Sequence, residues 1–396
     1  MIEVRTPTAD EYEPMCRVDG RSFGFAYTDE DMERNRSIIE LDRFRIAVER
    51  GAIVGVAGMF SLDMTVPGGA TLPTGGLTWV SVAVTHRRQG LLRRLMDAVR
   101  ADSAAHDEPL AALFAADSGI YERFGYGIAS SIWKTSLDRR HATLRGGVVD
   151  GAHDVRFVDA AEARTCLPPI FDRARRRRPG EVGRTDGWWD FLMWWRGRTV
   201  GELSPAFHLV HPDGYVSYRV EGHSDNGLHA NRVEVVEHCV ATDAAHAALW
   251  SVLLGTDLAG PITSNMLPVD DPLPSLLTSS RLLSTVGLQD GLWLRPADIR
   301  RCFAARTYQQ DDRLVLEVDG RRYAIEGGPQ GATCVRARTR ADLVVDGSTA
   351  GALLLGGVSP YRLASGRRLI ARDDAALRRA AAFFPSERAP SCSTHF

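Results

Sequence analysis

The chain has 396 residues, of which 44% are hydrophobic and 25% are charged, and its formal net charge is −2. This balanced charge argues against a general attraction to nucleic acid or to an anionic membrane. The longest apolar runs are too short to span a bilayer, and residues 1–7 lack the pattern of a secretory signal. We therefore expect a cytoplasmic protein of two or three domains, since single cores seldom exceed about 250 to 300 residues.

Cysteine usage gives no sign of a crosslinked or zinc-bound fold. The six cysteines are scattered along the chain, and no two of them form a C-x-x-C pair. A disulfide framework or a structural zinc site needs closer and more regular spacing. We therefore predict a protein without a metal ion.

The first domain is predicted to span residues 1–148 and to mix strands with helices. Thr8 and Glu11 have the spacing of a helix capping box. Residues 22–27 are rich in glycine and aromatic residues, and we interpret them either as a loop that presents its rings or as part of the core. Mixed strands with crossing helices indicate an α/β or α+β sheet domain. Strands are expected at 2–5, 44–49, 53–63, 110–115 and 132–137.

The centre of this domain is a strand followed by a basic turn and a helix. β-Forming residues follow one another over 78–84, and apolar residues recur over 91–99 at the spacing of one buried helix face. Gly90 would let a ligand approach bare backbone, where the first amides of the helix attract anions. Arginines of the same turn suit a pyrophosphate, and they are Arg87, Arg88 and Arg93. The alternative is a solvated basic turn before an ordinary surface helix.

Two motifs, in this order along the chain, resemble the GNAT superfamily of N-acetyltransferases. Arg87-x-x-Gly90-x-Leu92 after a strand is similar to its acyl-CoA pyrophosphate loop, Q/R-x-x-G-x-G/A, except that Leu92 replaces the small last residue. The segment from Ser118 to Tyr126 is similar to the one in which a tyrosine precedes a Gly-aromatic pair. With the length and the aromatic last residue, T-H-R-R-Q-G-L-L-R and I-Y-E-R-F-G-Y-G resemble the enhanced intracellular survival (Eis) family over essentially the whole chain.

A second domain, predicted at residues 149–296, repeats the pattern of the first. A strand at 233–240 leads through a turn to an amphipathic helix, but the arginines and the glycine are missing and Asp243 stands in the turn. We interpret this as a second acetyltransferase-like copy that cannot hold pyrophosphate, and the resemblance implies the same degenerate GNAT-like region. The alternative is that any buried strand and helix would look this way.

Other features of the second domain favour ordinary packing. The run 173–178, followed by Pro179-Gly180, is interpreted as a solvated helix end rather than a nucleic-acid patch. His208 and His211 precede a turn signal, which is typical of a hairpin and makes a metal site improbable. Four tryptophans at helical spacing indicate a packed face or, as the alternative, the lining of a substrate cavity, and they are Trp188, Trp189, Trp194 and Trp195.

The third domain is predicted to span residues 297–396. Asp319-Gly320 between alternating runs at 314–318 and 322–325 indicates a β-hairpin. Helices are expected to follow, one through 353–355 and one at 375–384. This pattern resembles the sterol-carrier-protein-like α+β domain that ends Eis proteins, where it would supply the chain's C-terminal carboxylate.

The resemblance implies acetyl-CoA as acetyl donor and a set of residues that hold it. The backbone of the central strand would pair with the pantetheine arm, the basic turn would wrap the pyrophosphate, and the next strand would meet the arm from the other side. These residues are Val80, Ser81 and Val82, then Arg88, Gln89, Gly90, Leu91, Leu92 and Arg93, then Ala116 and Asp117.

Two groups are candidates for the proton transfers. Tyr121 is predicted as the general acid, since a phenol with an ordinary pKa of about 10 stays protonated at neutral pH. The alternative is a core tyrosine, and Tyr126 is interpreted as packing. The resemblance assigns the base to the carboxylate of the last residue, here Phe396. With an ordinary pKa of about 3.5 this carboxylate is a weak base, so burial or a relaying water would have to help.

The substrate is predicted to be a small-molecule amine, with an aminoglycoside first by resemblance and polyamines or protein lysines behind it. Phe23, Phe25, Trp79 and His395 are the candidate substrate-binding residues. Other readings are a non-catalytic acyl-CoA or lipid-binding module and a protein-interaction effector. The resemblance further implies a homohexamer.

Overall fold

The structure is a computed structural model that describes residues 2–146, 151–225 and 227–396. Its strands, β1 to β21 in chain order, are Glu3–Arg5, Phe44–Glu49, Ala52–Thr65, Thr71–Val82, Leu110–Phe114, Gly127–Ile128, Ser131–Asp138, Arg156–Val158, Phe207–His211, Gly214–Glu221, Ser224–Asp225, Leu228–His229, Asn231–Val240, Ala259–Leu267, Leu283–Asp290, Leu292–Pro296, Asp312–Val318, Arg321–Gly328, Gly331–Arg336, Leu343–Val345 and Leu369–Ala371.

The α-helices, α1 to α12, follow the same convention. They are Tyr12–Phe23, Asp29–Arg36, Leu91–Ala105, Ser118–Tyr121, Ala160–Arg175, Asp186–Arg196, Asp243–Leu254, Leu273–Leu276, Ile299–Ala304, Gly347–Leu354, Pro360–Ser365 and Asp374–Phe383. In the described part of the chain, no helix is both long and apolar enough to cross a membrane.

The chain forms two compact units. Unit 1 contains residues 1–129, 292–386 and 394–396, and unit 2 contains residues 130–291 and 387–393. The predicted boundary between residues 148 and 149 lies outside the described residues, and the three predicted domain ranges stay predictions.

Unit 1 holds a seven-stranded sheet and a five-stranded sheet. The first has the strand order β1-β2-β3-β4-β5-β16-β6, and the second has the order β19-β18-β17-β20-β21. Helix α3 packs its apolar face on the first sheet, and this packing buries that face. That face consists of Leu91, Leu95, Met96 and Val99.

Unit 2 is built on another seven-stranded sheet. Its order is β15-β7-β14-β13-β10-β9-β8, and β11 pairs with β12 in a separate hairpin. Strand β13 and helix α7 confirm the predicted strand and helix of this region. Residues 245–250 of α7 are all buried, so this helix is enclosed over most of its surface and is not the amphipathic helix that was predicted.

One predicted strand lies in a different sheet from the one expected. The strand predicted at 132–137 forms as β7, but it pairs with β14 and β15 of unit 2. The sheet of unit 1 instead receives β16, which pairs with β5 and β6. Strands adjacent in sequence usually pair with each other, but which sheet edges finally meet is set by packing that a linear pattern does not contain.

Several local predictions are confirmed. Thr8 and Glu11 form the capping box, and β17 and β18 form the hairpin around Asp319-Gly320. The basic run lies at the end of α5, where Arg173 pairs with Asp213 at 3.4 Å. Trp188 and Trp189 of α6 are buried as a packed face requires, whereas Trp195 is exposed.

Residues 22–27 are only partly a loop. Helix α1 continues to Phe23 and ends at Gly24, whose φ of +83° gives a left-handed C-cap. Phe23 and Phe25 are each 48% exposed, so these two rings face solvent and are not part of the core. This is the first of the two arrangements expected for the segment. Tyr27 is instead packed, stacked on Trp79 with ring centroids 5.5 Å apart.

Candidate active site

The site is built on two strands that part within the first sheet. Strands β4 and β5 pair in parallel from Thr74 and Leu110 to Gly76 and Ala112. Beyond that pair β4 continues to Val82, with β3 on its other edge, so within the described residues its β5-facing edge has no strand partner. A parted edge of this kind can accept an extended ligand as if it were an added strand.

A cleft with a volume of about 660 Å³ lies between the parted strands and the start of α3. Twelve of the residues predicted from the sequence line it, although their roles remain proposals. They are Phe23, Val80, Ser81, Val82, Arg88, Gly90, Leu91, Leu92, Arg93, Ala116, Asp117 and Tyr121.

Five predicted residues are not among those that line this cleft. Gln89 is exposed, and its side chain donates to the carbonyl oxygen of Thr85 at 3.4 Å. Trp79 is part of a packed aromatic cluster, where it meets Phe44 edge-to-face at 5.6 Å between centroids. The others are Phe25, His395 and Phe396.

The conformation of Trp79 explains why it packs away from the cleft. Its φ of +50° is in the left-handed region, and the pairing of β3 with β4 shifts register beside it, between Val56 and Gly58. Such a bulge turns a side chain out of the regular alternation of the strand. Alternation along the sequence alone could not show this.

Sequence reasoning missed several residues that line the cleft. Ile120, Arg123 and Phe124 flank Tyr121, so the tyrosine motif itself could have pointed to them. Ser22 reaches the cleft because α1 extends further than expected. His86 lies before the basic turn, with its Nε2 atom 3.2 Å from Glu49.

The start of α3 offers an anion site. Gly90 is the N-cap with a φ of +78°, it provides no side-chain cap, and the space where its Cβ would be is open. Arg87, Arg88 and Arg93 line the same end of the cleft and are exposed. Among the described residues no carboxylate forms an ion pair with these three arginines. Uncapped amides and guanidinium groups without a carboxylate partner together suit a diphosphate.

The corresponding helix of unit 2 lacks this arrangement. Helix α7 is capped by Thr242, whose hydroxyl accepts from the amide of Ala245 at 3.2 Å. Asp243 occupies its first turn and pairs with Arg388 at 3.0 Å. A capped helix start with a carboxylate in its first turn opposes a phosphate, as the sequence predicted for this region.

Tyr121 is the last residue of the short helix α4, whose N-cap is Asp117. The carboxylate of Asp117 caps that helix by accepting from the amide of Gly119 at 2.9 Å. Tyr121 is 7% exposed and lines the cleft, and no described residue forms a hydrogen bond with its hydroxyl. Burial, reinforced by the nearby carboxylate of Asp117, raises the pKa of Tyr121 to about 12. The phenol therefore stays protonated and can donate.

Tyr126 is fully buried behind Tyr121, with the two ring centroids 6.3 Å apart. Its hydroxyl is buried without a hydrogen-bond partner among the described residues. Burial raises the pKa of Tyr126 to about 12 as well. Because Tyr126 does not line the cleft, the predicted packing role fits its position.

The last two residues of the chain contact the end of β5. The ring of His395 stacks on Phe114 with centroids 4.5 Å apart, and the ring of Phe396 meets Phe114 edge-to-face at 5.3 Å. Burial lowers the pKa of His395 below its ordinary value, so its imidazole is neutral at pH 7. Phe396 also lies over Gly76, the last residue of β4 that pairs with β5.

A buried acid that the sequence did not single out lies beside Tyr27. Asp19 of α1 is 2% exposed, and one of its oxygens accepts from the hydroxyl of Tyr27 at 2.9 Å. Its other oxygen is buried without a partner among the described residues. Burial raises the pKa of Asp19 to about 6.

Comparison with protein families finds three matching regions. Residues 3–129 and residues 180–298 each match an acetyltransferase (GNAT) domain, and residues 299–393 match a sterol carrier protein domain. This confirms the fold class predicted from the sequence, with two GNAT-like regions and a sterol-carrier-protein-like domain.

Whole-chain relatives are also found. The chain is 37% identical to the N-acetyltransferase Eis of Mycobacterium tuberculosis over 98% of this chain and 97% of that protein. It is 34% identical to an uncharacterized N-acetyltransferase of Streptomyces griseus over 100% of both chains. The crystal structure of Eis1 from Mycobacterium abscessus superposes with a TM-score of 0.89 at 30% identity and covers 100% of both chains.

Proposed function

The chain belongs to the Eis family of GNAT N-acetyltransferases, and from that membership we propose that it transfers the acetyl group of acetyl-CoA to a primary amine of an aminoglycoside-like or other polyamine substrate. The observation that carries this proposal is the cleft between the parted strands β4 and β5. One end of the cleft is cationic, and its wall carries a protonated tyrosine.

The cationic end of the cleft supports donor binding. In the proposed complex, the diphosphate of acetyl-CoA lies on the first amides of α3, against Arg88 and Arg93. The pantetheine arm runs along the free edge of Val80, Ser81 and Val82. A backbone amide of this edge would face the thioester oxygen and stabilise the oxyanion that forms when the amine attacks.

Tyr121 is the proposed general acid. Attack of the amine on the thioester carbonyl forms the C–N bond, and collapse of the tetrahedral intermediate breaks the C–S bond and releases a thiolate. The phenol of Tyr121 donates its proton to that sulfur, and the second proton that the nitrogen loses as the amide forms restores the phenol. With a pKa of about 12 the hydroxyl is protonated over the whole neutral range.

The C-terminal carboxylate of Phe396 is the proposed base. An amine with a pKa of about 10.4 arrives as a cation and must lose a proton before it attacks. Phe396 lies at the point where β4 and β5 part, which supports placing the amine there. Since an ordinary carboxylate is a weak base, we propose that a water molecule relays the proton.

We propose that substrate selection depends more on aromatic side chains than on acidic ones. Phe23 and Phe25 are exposed, and His395, which is neutral at pH 7, stands where the family resemblance implies a penultimate acid. Fewer carboxylates weaken the attraction for a polycation. We therefore expect modest affinity for aminoglycosides. The homohexamer and the cytoplasmic location implied by the resemblance stay predictions.

An amine panel tests the proposal. Thiol release from acetyl-CoA is followed with an aminoglycoside, a polyamine and a lysine-containing peptide, and reactions without amine serve as the control. We expect release with a small-molecule amine and monoacetylated product in the mass spectrum. Release with the lysine peptide alone would favour a protein-lysine acetyltransferase. Acetyl-CoA binding without release for any amine would overturn the proposal.

A further inference from the structure

Two histidines and one aspartate form a cluster in unit 2, far along the chain from the cleft residues. His238 lies on β13, His246 lies on α7, and Asp271 lies between β14 and α8. Each residue offers one potential ligand atom, and these atoms all lie within 4.8 Å of one another. Three separate elements of the fold thus bring two imidazoles and a carboxylate together.

Two nitrogen atoms of this cluster are buried without a partner among the described residues. They are Nε2 of His238 and Nδ1 of His246. Nε2 of His246 lies 3.1 and 3.2 Å from the two carboxylate oxygens of Asp271, so only one of its nitrogens is satisfied. Buried polar atoms are nearly always paired, because an unpaired one costs free energy. The polypeptide supplies no partner for Nε2 of His238, and a bound ion that Asp271 and His246 share can.

The side-chain types suit a cation. Imidazole nitrogen and carboxylate oxygen are common ligands of divalent transition metal ions, and the contact of His246 with Asp271 brings one of each together.

From these observations we propose that His238, His246 and Asp271 form a binding site for a divalent first-row transition metal ion, with Zn²⁺ as the ion it takes. Two nitrogen ligands and one oxygen ligand favour such ions over Mg²⁺ or Ca²⁺, which prefer oxygen alone. At Zn²⁺ bond lengths of about 2.0 to 2.2 Å the ligand atoms would lie about 3.3 to 3.6 Å apart, so the cluster closes by about 1 Å on binding.

A small cavity beside the cluster can complete the coordination. Its volume is about 90 Å³, and all three proposed ligands line it. This volume leaves room for a water molecule, which occupies about 30 Å³ in the liquid, as a fourth ligand. Three arginines also line the cavity, and each is paired with a carboxylate, so their charge is compensated. The pairs are Arg175 with Asp172 at 2.8 Å, Arg178 with Asp270 at 2.6 Å and Arg388 with Asp243 at 3.0 Å.

The ion would act as a structural crosslink within unit 2. It would join strand β13 to helix α7 and to the segment before α8, two elements that the contact of His246 with Asp271 already links. No sequence motif indicates this site, because its residues are separated by 8 and 25 positions. It is independent of the acetyl transfer proposed for the cleft.

Metal titration of the full-length chain tests the site. The protein is stripped with a chelator and titrated with Zn²⁺ against a chromophoric competitor, and with Co²⁺ while its visible absorption is recorded. We expect one equivalent of each ion, a rise in Tm of about 5 °C with Zn²⁺, and a Co²⁺ spectrum without a thiolate charge-transfer band. A thiolate band would assign the ion to cysteine and overturn the proposal.

His238→Phe is the decisive variant. Phenylalanine keeps the ring packing and replaces the unpaired nitrogen by carbon, so we expect a folded protein whose affinity for Zn²⁺ falls by about 100-fold or more. Asp271→Asn keeps the shape of its residue and should cause the same loss if His238→Phe does not fold. His141→Gln, at an exposed histidine next to Asp138, should bind like the wild type. Unchanged binding in both cluster variants, or no saturable binding by the wild type, would refute the site.

Discussion

The ring of Phe396 packs edge-to-face on Phe114, with the ring centroids 5.3 Å apart and the ring planes at 66°. Phe114 is the last residue of β5, and Gly76 is the last residue of β4 that pairs with β5. A Cβ atom on Gly76 would lie 3.1 Å from Cδ2 of Phe396. The end of the chain therefore lies where the two strands part, beside residues that lead into the cleft.

Extension of the chain by one residue after Phe396 should lower kcat by about 10²- to 10⁴-fold. The added residue converts the proposed base into a neutral amide and moves the free carboxylate away from Gly76. Steady-state thiol release measures kcat, and calorimetry measures the affinity for acetyl-CoA, which we expect to be retained.

Phe396→Leu is the matched variant for this test. It keeps the terminal carboxylate and loses only the contact with Phe114, which is worth about 0.5 to 1.5 kcal/mol. We therefore expect a loss of about tenfold or less in kcat. Wild-type kcat in the extended chain would remove the terminal carboxylate from the mechanism.

Tyr121→Phe should lower kcat by about 10²- to 10⁴-fold with little change in KM for acetyl-CoA. The variant keeps the buried ring and loses only the hydroxyl that protonates the departing thiolate. Because the pKa of Tyr121 is about 12, wild-type kcat should show no alkaline loss from this group in the usual assay range. Initial rates across a pH series measure both effects.

Tyr126→Phe is the control for the loss of a hydroxyl. The Tyr126 hydroxyl is buried without a partner among the described residues, so its removal should leave kcat unchanged and raise stability by about 1 kcal/mol. An inactive Tyr126→Phe beside an active Tyr121→Phe would reverse the two roles.

Arg88→Ala should raise KM for acetyl-CoA about tenfold and leave kcat nearly unchanged, since a charge-assisted contact to a phosphate is worth about 1.5 to 3 kcal/mol. The same variant is assayed with S-acetylpantetheine, which lacks the diphosphate. With that donor we expect wild type and variant to be equal.

Arg94→Ala is the matched control for Arg88→Ala. Arg94 lies in the first turn of the same helix, but its guanidinium donates to the carbonyl oxygen of Ile2 at 2.8 Å and does not line the cleft. It should leave KM for acetyl-CoA near the wild-type value. An equal loss in Arg88→Ala with both donors would show that the arginine does not bind the diphosphate.

Much of the fold could be predicted because its signals are local. The capping box at Thr8 and the hairpin at Asp319-Gly320 are set by a few neighbouring residues, and helix α3 by the period of its apolar face. A strand followed by a glycine and arginines likewise indicates Arg88, Gly90 and Arg93 from local sequence, whereas residues 80–82 follow from the family resemblance.

The missed features depend on residues that are distant in sequence. Strand β16 enters the first sheet through pairing with β5, about 180 positions earlier in the chain, which no local pattern contains. A bulge in β4 turns the side chain of Trp79 away from the cleft. Asp19 is buried next to Tyr27, which donates a hydrogen bond to it. His238 and His246 read as ordinary strand and helix residues until Asp271 is placed beside them.

Asp19→Asn should stabilise the protein at pH 8 by about 3 kcal/mol and have little effect at pH 4. An aspartate ionises at a pKa of about 3.9 in the unfolded chain, whereas burial raises the pKa of Asp19 to about 6 in the fold. Between these values the native state binds the extra proton, so stability falls as pH rises through this window. Asparagine carries no charge and still accepts from Tyr27. Thermal unfolding at both pH values measures the difference, and an equal shift in Tm at pH 4 and pH 8 would contradict it.

Gly76→Ala tests whether the position of Phe396 matters for catalysis, without changing the terminal residue itself. The new Cβ would lie 2.5 Å from Cδ1 of Leu62, a flexible methyl group that can move, and 3.1 Å from the ring of Phe396, which must shift by a few tenths of an ångström. Since misplacing a reacting group by about 1 Å lowers the rate by about 10²-fold, we expect kcat to fall about tenfold with KM for acetyl-CoA unchanged.

Gly75→Ala is the matched control, because its Cβ would point to the opposite face and meet Glu108 at 2.6 Å. That variant should lose stability but keep kcat per folded molecule. Equal losses of kcat in both variants would mean that strain in β4, and not the position of Phe396, limits catalysis.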